Sequence, residues 1–317
     1  MPQTSKTFSR RSARAAAALF LTLVSTVGVV ASVHAAISVK DDTGATVTLP
    51  APAQRIVSLA PHATELLFAA GAGDRVVGAV AYSDYPEAAR RIPRVGDNSA
   101  LDLERILALK PDLLVVWMHG NSQRQVEALR QLKLPVFYSE PKHLTDLPDA
   151  IERLGALTGT PAKAQAAANA FRARYEALRT QYSSRAPVSV FYQVWTQPLM
   201  TLNGTHMVSD VIRLCGGVNV FADEPALVPR VSIEAVLAKR PEAMFTATPG
   251  ATKSDKPLAT LDSWRQWTQL PAVAHNNLFG IDGDLINRPG PRILDGARVM
   301  CEDLDIARER RAKAAAQ

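Results

Sequence analysis

Cysteine is nearly absent from the 317-residue chain: Cys215 and Cys301 are the only two, both in its last third. Neither has a close partner of metal-ligand spacing, so a zinc-knuckle reading has no ligands to use. The sequence also lacks a Gly-x-Ser-x-Gly elbow, a Gly-x-x-x-x-Gly-Lys phosphate loop, a Gly-x-Gly-x-x-Gly fingerprint and a His-Glu-x-x-His pair. Hydrolase, nucleotide and metalloprotease signatures are therefore missing. Gly71-Ala72-Gly73 follows a helical stretch instead of opening one, which makes it a C-cap and turn. Beyond the N-terminus there is no Lys/Arg block, so a nucleic-acid partner is not expected.

The basic residues that do cluster are Lys6, Arg10, Arg11 and Arg14, followed by an uncharged apolar run from Ala15 to Val33. This is the layout of a secretory leader, with cleavage expected after Ala35 in Val33-His34-Ala35-Ala36. An uncleaved anchor is the alternative, because the run is nearly long enough to span a bilayer. No cysteine near the cut suggests lipid attachment, and Ser9-Arg10-Arg11 hints at twin-arginine export. Setting the four leader cations aside reduces the formal charge from +6 to +2. In an oxidising compartment Cys215 and Cys301 are expected to pair, two buried free thiols being the alternative.

Residues 37–50 alternate apolar and polar side chains around Asp42-Thr43-Gly44, which predicts a β-hairpin. Strands follow at Ile56–Leu59, Val76–Ala81, Leu113–Trp117 and Val136–Tyr138, with helices at Ala63–Ala70, Leu103–Leu109 and Ser122–Leu132. A second series comprises strands at Val188–Val194, Ala243–Thr246 and Leu278–Asp282, helices at Met207–Leu214 and Ile233–Lys239, and a final helix from Arg292. Strands apolar on both faces, alternating with helices, specify parallel sheets. Between the two series, Thr160 is a suitable N-cap, Pro161 suits the first helical position, and Ala162–Tyr182 has no internal Gly or Pro. A helix of this length reaches roughly 30–35 Å, long for a crossover and suited to joining two lobes.

The expected fold is α/β, with two Rossmann-like lobes of parallel sheet joined by one long helix and a ligand cleft between them. The divisions are a leader over 1–35, a first lobe over 37–158, a linking helix over 159–185 and a second lobe over 186–317. An internal repeat supports pseudo-symmetry: Leu103–Asp112 matches Ile233–Glu242 at an offset of 130 residues, with Glu, Leu, Ala and Pro identical.

Candidate site residues fall at strand ends. Tyr82 and Tyr85 follow a strand, and Trp117 and Trp195 end one; each alone reads as a packing residue, but together they mark the strand ends where a cleft between two open sheets gathers its ligand contacts. His62 lies at a strand-to-helix junction and is either a helix-capping or cleft-rim residue that needs no ligand, or a direct ligand contact. His119, His143, His206 and His275 are scattered without metal-ligand spacing and read as surface or loop residues. The loop from Asp284 through Arg288 to Arg292 is placed to touch a cleft ligand or simply to connect two elements. Glu104 and Glu234 occupy equivalent repeat positions; they either favour a helix N-terminus or dock on a two-fold partner.

Arg55-Ile56-Val57-Ser58-Leu59-Ala60-Pro61 with Thr64-Glu65, Tyr82-Ser83-Asp84-Tyr85-Pro86, Leu103–Ile106 and Lys110–Leu113 with Trp117 together resemble the periplasmic cobalamin-binding proteins of ABC importers. Cys215–Asn219 and Pro291–Leu294 extend the resemblance over essentially the whole chain after the leader. The wider family of metal-chelate receptors also carries haem and ferric siderophores.

The resemblance implies a periplasmic, monomeric, non-enzymatic receptor with no cofactor, which hands cobalamin or a related corrinoid to the permease subunits of an importer. It implies cobalamin contacts at Tyr82, Trp117 and Asp284, with Trp195 close to another aromatic contact. It further implies docking carboxylates at Glu104 and Glu234 and a Cys215–Cys301 disulfide. It departs at Asn98 and Val228, where cobalamin binders carry tryptophan. A haem or siderophore receptor on the same scaffold is the first rival reading, and an exported hydrolase using His62 or Asp284 the second.

Overall fold

The structure, a computed structural model, describes residues 36–97, 99–248 and 259–316. The leader, its cleavage site and Asn98 lie outside the described residues. The hairpin expected at the start is β1 (Ile37–Lys40) and β2 (Thr46–Leu49), antiparallel, with Asp41 Oδ1 accepting the Thr43 and Ala45 amides across the turn.

The first parallel sheet contains β3 (Ile56–Ser58), β4 (Val76–Ala79), β5 (Leu113–Val116) and β6 (Val136–Tyr138), in the order β4-β3-β5-β6. Its helices are α1 (Pro61–Ala69), α2 (Leu103–Ala108), α3 (Gln123–Gln131) and α4 (Asp146–Leu157). Then comes the long α5 (Pro161–Tyr182), about 33 Å by its 22 residues.

The second half supplies β7 (Val188–Gln193), the small hairpin β8 (Trp195–Thr196) and β9 (Leu199–Met200), and α6 (Met207–Leu214). It continues with β10 (Gly217–Asn219), α7 (Ile233–Lys239), β11 (Ala243–Thr248), α8 (Ala259–Asp262) and α9 (Pro271–Ala274). It ends with β12 (Leu278–Asp282), α10 (Gly283–Ile286) and α11 (Ile293–Ala315). The second sheet has the order β10-β7-β11-β12 and is also parallel throughout. In both sheets, therefore, the first strand lies inside, the second at the edge, and the third on the other side of the first. That order creates a switch point between β3 and β5 and another between β7 and β11.

Period-two alternation distributes each strand between two layers. Ile56, Leu113 and Val115 pack with Leu66 and Leu67 of α1 and with α4, whereas Val57, Leu114 and Val116 face Ile106 of α2 and Leu129 of α3. In the second sheet Val190, Ala243 and Phe245 face α6 and α11, while Phe191 and Met244 face Val236 and Trp264. Ala164, Phe171 and Tyr182 of α5 belong to the same continuous core as the inner faces of both sheets. The long helix is thus part of the packing of each half and not a tether between them.

Local details explain where helices stop. Gly71 has φ +82°, and the amides of Gly71 and Ala72 bond the carbonyls of Phe68 and Leu67, which closes α1 with a Schellman turn. Thr160 departs from expectation. Its hydroxyl makes no cap for α5 and instead bonds Thr158 Oγ1 at 2.8 Å, while Pro161 does occupy the first turn.

The repeat is a structural device. Asp102 and Ser232 cap α2 and α7 by accepting the amides of Arg105 and Ala235. Lys110 and Arg240, at φ 48° and 46°, end the two helices. Asp112 then accepts the Arg55 amide and Glu242 accepts the Ser189 amide, each at 2.9 Å, which fastens each helix exit to the start of its sheet's first strand. Cys215 and Cys301 are bonded and tie the end of α6 to α11.

Candidate functional site

Helices that cross between parallel strands run opposite to them, so helix starts and strand carboxyl ends share one edge of each sheet. A cleft of about 760 Å³ draws its lining from both halves there. The first half contributes Trp117 after β5 and the segment Glu140–His143 after β6, together with His119. The second contributes His206 and Met207 at the start of α6, Val228, and the loop residues Ile286, Asn287 and Pro289.

Trp117 is positioned by its neighbours. Its backbone amide donates to Asn121 Oδ1, and Asn121 Nδ2 donates to the Leu59 carbonyl, which stitches the ends of β5 and β3 together at the switch point. The indole lies directly on the Gly120 backbone: a Cβ there would come within 1.7 Å of Trp117 Cε3. The His62 ring meets the indole edge-on, with centroids 5.6 Å apart at 87°. Burial lowers the His62 pKa to about 4 against an opposing backbone hydrogen bond with Ser139, and Nε2 has no partner among the described residues. A neutral imidazole thus backs the indole from inside the first half. Gly120→Ala is expected to displace the indole and shift the tryptophan emission spectrum, with no such shift in a Trp117→Phe background. An unaltered spectrum in the Gly120 variant would contradict this placement.

The remaining residues expected to meet a ligand are not gathered equally. Tyr82 follows β4, holds φ 63°, and is 74 % exposed. A bulky residue in that conformation is strained by about 1–3 kcal/mol, a cost usually met at binding sites. Trp195 opens β8 after β7, is 61 % exposed, and donates its Nε1 proton to the Gln197 carbonyl at 3.0 Å. Neither is part of the cleft lining.

Asp284 and Arg288 belong to an ion network between the halves. Arg288 pairs with Asp284 and with Asp84, each at 2.8 Å. Glu65 on α1, only 2 % exposed at its side chain, receives Arg292 through two bonds of 3.0 and 2.6 Å, with Arg288 at 3.5 Å. Arg292 also lies 3.9 Å over the Tyr85 ring. Burial raises the Asp84 carboxyl, but the hydrogen bond and charge of Arg288 outweigh it and hold the group below the usual carboxylate range.

Three histidines read from sequence as surface or loop residues line the cleft: His119, His143 and His206. His206 caps α6, its Nδ1 accepting the Val208 amide at 3.1 Å; burial lowers its pKa to about 4, with Asp210 opposing. Position at strand ends was the available signal, since Pro141–His143 follow β6 and His206 opens a helix. Among the described residues no group of three His, Cys, Asp or Glu side chains could hold a metal ion. Glu104 and Glu234 are exposed in the first turns of α2 and α7, and among the described residues neither makes an ion pair. The Glu234 carboxyl is lowered by its own backbone amide and by the Ser232 hydroxyl.

Two parallel sheets with matching strand order and a cleft at their carboxyl edges define a two-lobed receptor architecture. The sequence matches the family described as periplasmic binding protein over residues 56–285, and the chain belongs to that family. Among its relatives, the vitamin B12-binding protein of Vibrio cholerae is 43 % identical over 261 residues, which cover 82 % of this chain and 92 % of that protein. The vitamin B12-binding protein of Vibrio parahaemolyticus is 38 % identical over the same shares. The crystal structure of the periplasmic vitamin B12 binding protein BtuF of Vibrio cholerae superposes with a TM-score of 0.73, covering 81 % of this chain and 98 % of that one. The periplasmic haem-binding protein HutB of Vibrio cholerae shares the fold, at a TM-score of 0.68 and 22 % identity, over 79 % and 98 % of the two chains.

Proposed function

We propose that this chain captures cobalamin or a closely related corrinoid in the periplasm and delivers it unchanged to the permease subunits of an ABC importer. The observation that carries the reading is the 43 % identity to a vitamin B12-binding protein over 92 % of that protein's length. The cleft agrees chemically: its lining combines the Trp117 face and apolar side chains such as Val228 and Ile293 with a few polar groups, as a large, partly apolar ligand requires. A hydrolytic reading finds little support, since His62 is buried without a partner at Nε2 among the described residues and Asp284 is held by Arg288. The leader is removed by cleavage after Ala35, and the mature receptor acts as a monomer of two lobes bounded near residues 158 and 186.

Trp117 supplies the flat surface on which the ligand rests, Tyr82 and Trp195 close on it from loops after β4 and β7, and Asp284 and Arg288 meet its polar edge. His62 acts behind Trp117. Titration with cyanocobalamin, followed by quenching of tryptophan emission, tests the reading. Saturable quenching is expected, and retention of haem with no corrinoid bound would transfer the assignment to the haem carriers.

Glu104 and Glu234 dock the receptor on basic pockets of two permease subunits. Both sit at helix starts, hence on the cleft edge of their sheets, one per half. Reversing both to lysine is expected to leave corrinoid affinity within about twofold and to lower uptake on the order of tenfold or more, because like charges would then face each other. Reduced ligand affinity with unimpaired uptake would be the contrary result.

A further inference from the structure

His119, His143 and His206 line the cleft from three different connections, and each commits Nδ1 to the protein. His119 Nδ1 lies 3.2 Å from Glu140 Oε1, and His143 Nδ1 lies 2.9 Å from Asp210 Oδ2, across the two halves. His206 Nδ1 accepts the Val208 amide. No partner for any of the three Nε2 atoms occurs among the described residues.

The anchoring partners fix what each Nε2 offers. A ring held by a carboxylate keeps its proton on Nδ1, so in the neutral form Nε2 presents a lone pair. A ring whose Nδ1 accepts an amide keeps its proton on Nε2 and presents a donor. His206 is of this second kind, and burial holds it neutral. The charged groups nearby come in opposite signs: Glu140 and Lys142 share the lining, and Asp210 pairs with Arg213. The result is a wall with both donors and acceptors and no dominant charge. A carboxylate, which only accepts, would oppose the lone pairs of His119 and His143. A primary carboxamide, whose nitrogen donates and whose oxygen accepts, suits all three.

We propose that His119, His143 and His206 form a specificity subsite whose Nε2 atoms hydrogen-bond uncharged side-chain amides of the bound ligand. The subsite rests on the corrinoid reading, because a corrin ring carries its side chains largely as primary amides whereas haem carries carboxylates. It also supplies selectivity that the apolar part of the cleft cannot, since flat apolar surfaces accept either macrocycle.

The test uses the full mature protein and cyanocobalamin. His119→Ala/His143→Ala is expected to weaken binding about tenfold, the loss of two modest hydrogen bonds. His119→Gln/His143→Gln, which restores an amide at each position, should remain within about threefold of the unaltered protein. In the unaltered protein labelled with 15N-histidine, saturation should shift the Nε2 resonances of His119, His143 and His206, a readout that holds even where a variant folds poorly. Alanine variants that bind within twofold, or Nε2 resonances that stay in place at saturation, would overturn the subsite while leaving the corrinoid reading intact. Absence of any cyanocobalamin binding by the unaltered protein would overturn both.

Discussion

Replacing Glu65 by alanine is expected to destabilise the protein by about 3–5 kcal/mol, the usual result of removing one partner from a buried ion pair. The carboxylate is almost wholly withdrawn from water and takes two bonds from Arg292. Arg288, 14 % exposed, keeps Asp84 and Asp284 when Glu65 is lost, but Arg292, 17 % exposed, has no other ion pair among the described residues and keeps the face of Tyr85 and the more distant charge of Asp284. An unpaired guanidinium in that position bears most of the cost. The intact pair contributes much less than its deletion suggests, because burying both charges already consumes most of their attraction. A double Glu65→Leu/Arg292→Met variant should therefore lose far less stability than Glu65→Ala alone. Urea-denaturation midpoints of the three proteins measure this. A loss below about 1 kcal/mol for Glu65→Ala would show that the carboxylate is not the centre of the contact between the halves.

Opening the Cys215–Cys301 bond is the second large effect. The bond closes a loop of 86 residues, and the chain-entropy model assigns such a loop about 4–5 kcal/mol. The Cys215→Ser/Cys301→Ser variant is expected to melt on the order of 10 °C below the parent, and reductant should lower the parent to the same point. The effect acts through the unfolded chain, so the cleft of the folded variant should still bind its ligand. Coincident melting of variant and parent, with and without reductant, would contradict the prediction.

Residues that act within one element were legible in the sequence, and residues that act across the chain were not. β3 and β5 were recognisable because a strand buried on both faces must be apolar at consecutive positions. Trp117 was recognisable because it directly follows such a strand. By contrast, α4 carries Leu147, Ile151 and Leu154 on its buried face at helical spacing, yet Pro148 and Gly155 punctuate the segment and obscure it. The edge strand β10 has three residues, Gly217 among them, and little side-chain pattern to detect. The Glu65–Arg292 pair joins positions 227 residues apart, and no local signal marks either as the other's partner. The three cleft histidines do lie in loops, as the sequence indicates; what it does not show is their shared cleft and occupied Nδ1 atoms, because Glu140 and Asp210 reach His119 and His143 only in space.

Equilibrium titration of the purified mature protein with cyanocobalamin, set beside the same titration of Trp117→Ala, tests the central claim most directly. One corrinoid should bind per chain with quenching of tryptophan emission, and loss of the indole platform should weaken binding by roughly five- to 150-fold, the equivalent of about 1–3 kcal/mol for a stacked aromatic surface. A protein that retains haem but no corrinoid, or a Trp117→Ala variant that binds corrinoid as tightly as its parent, would contradict the account.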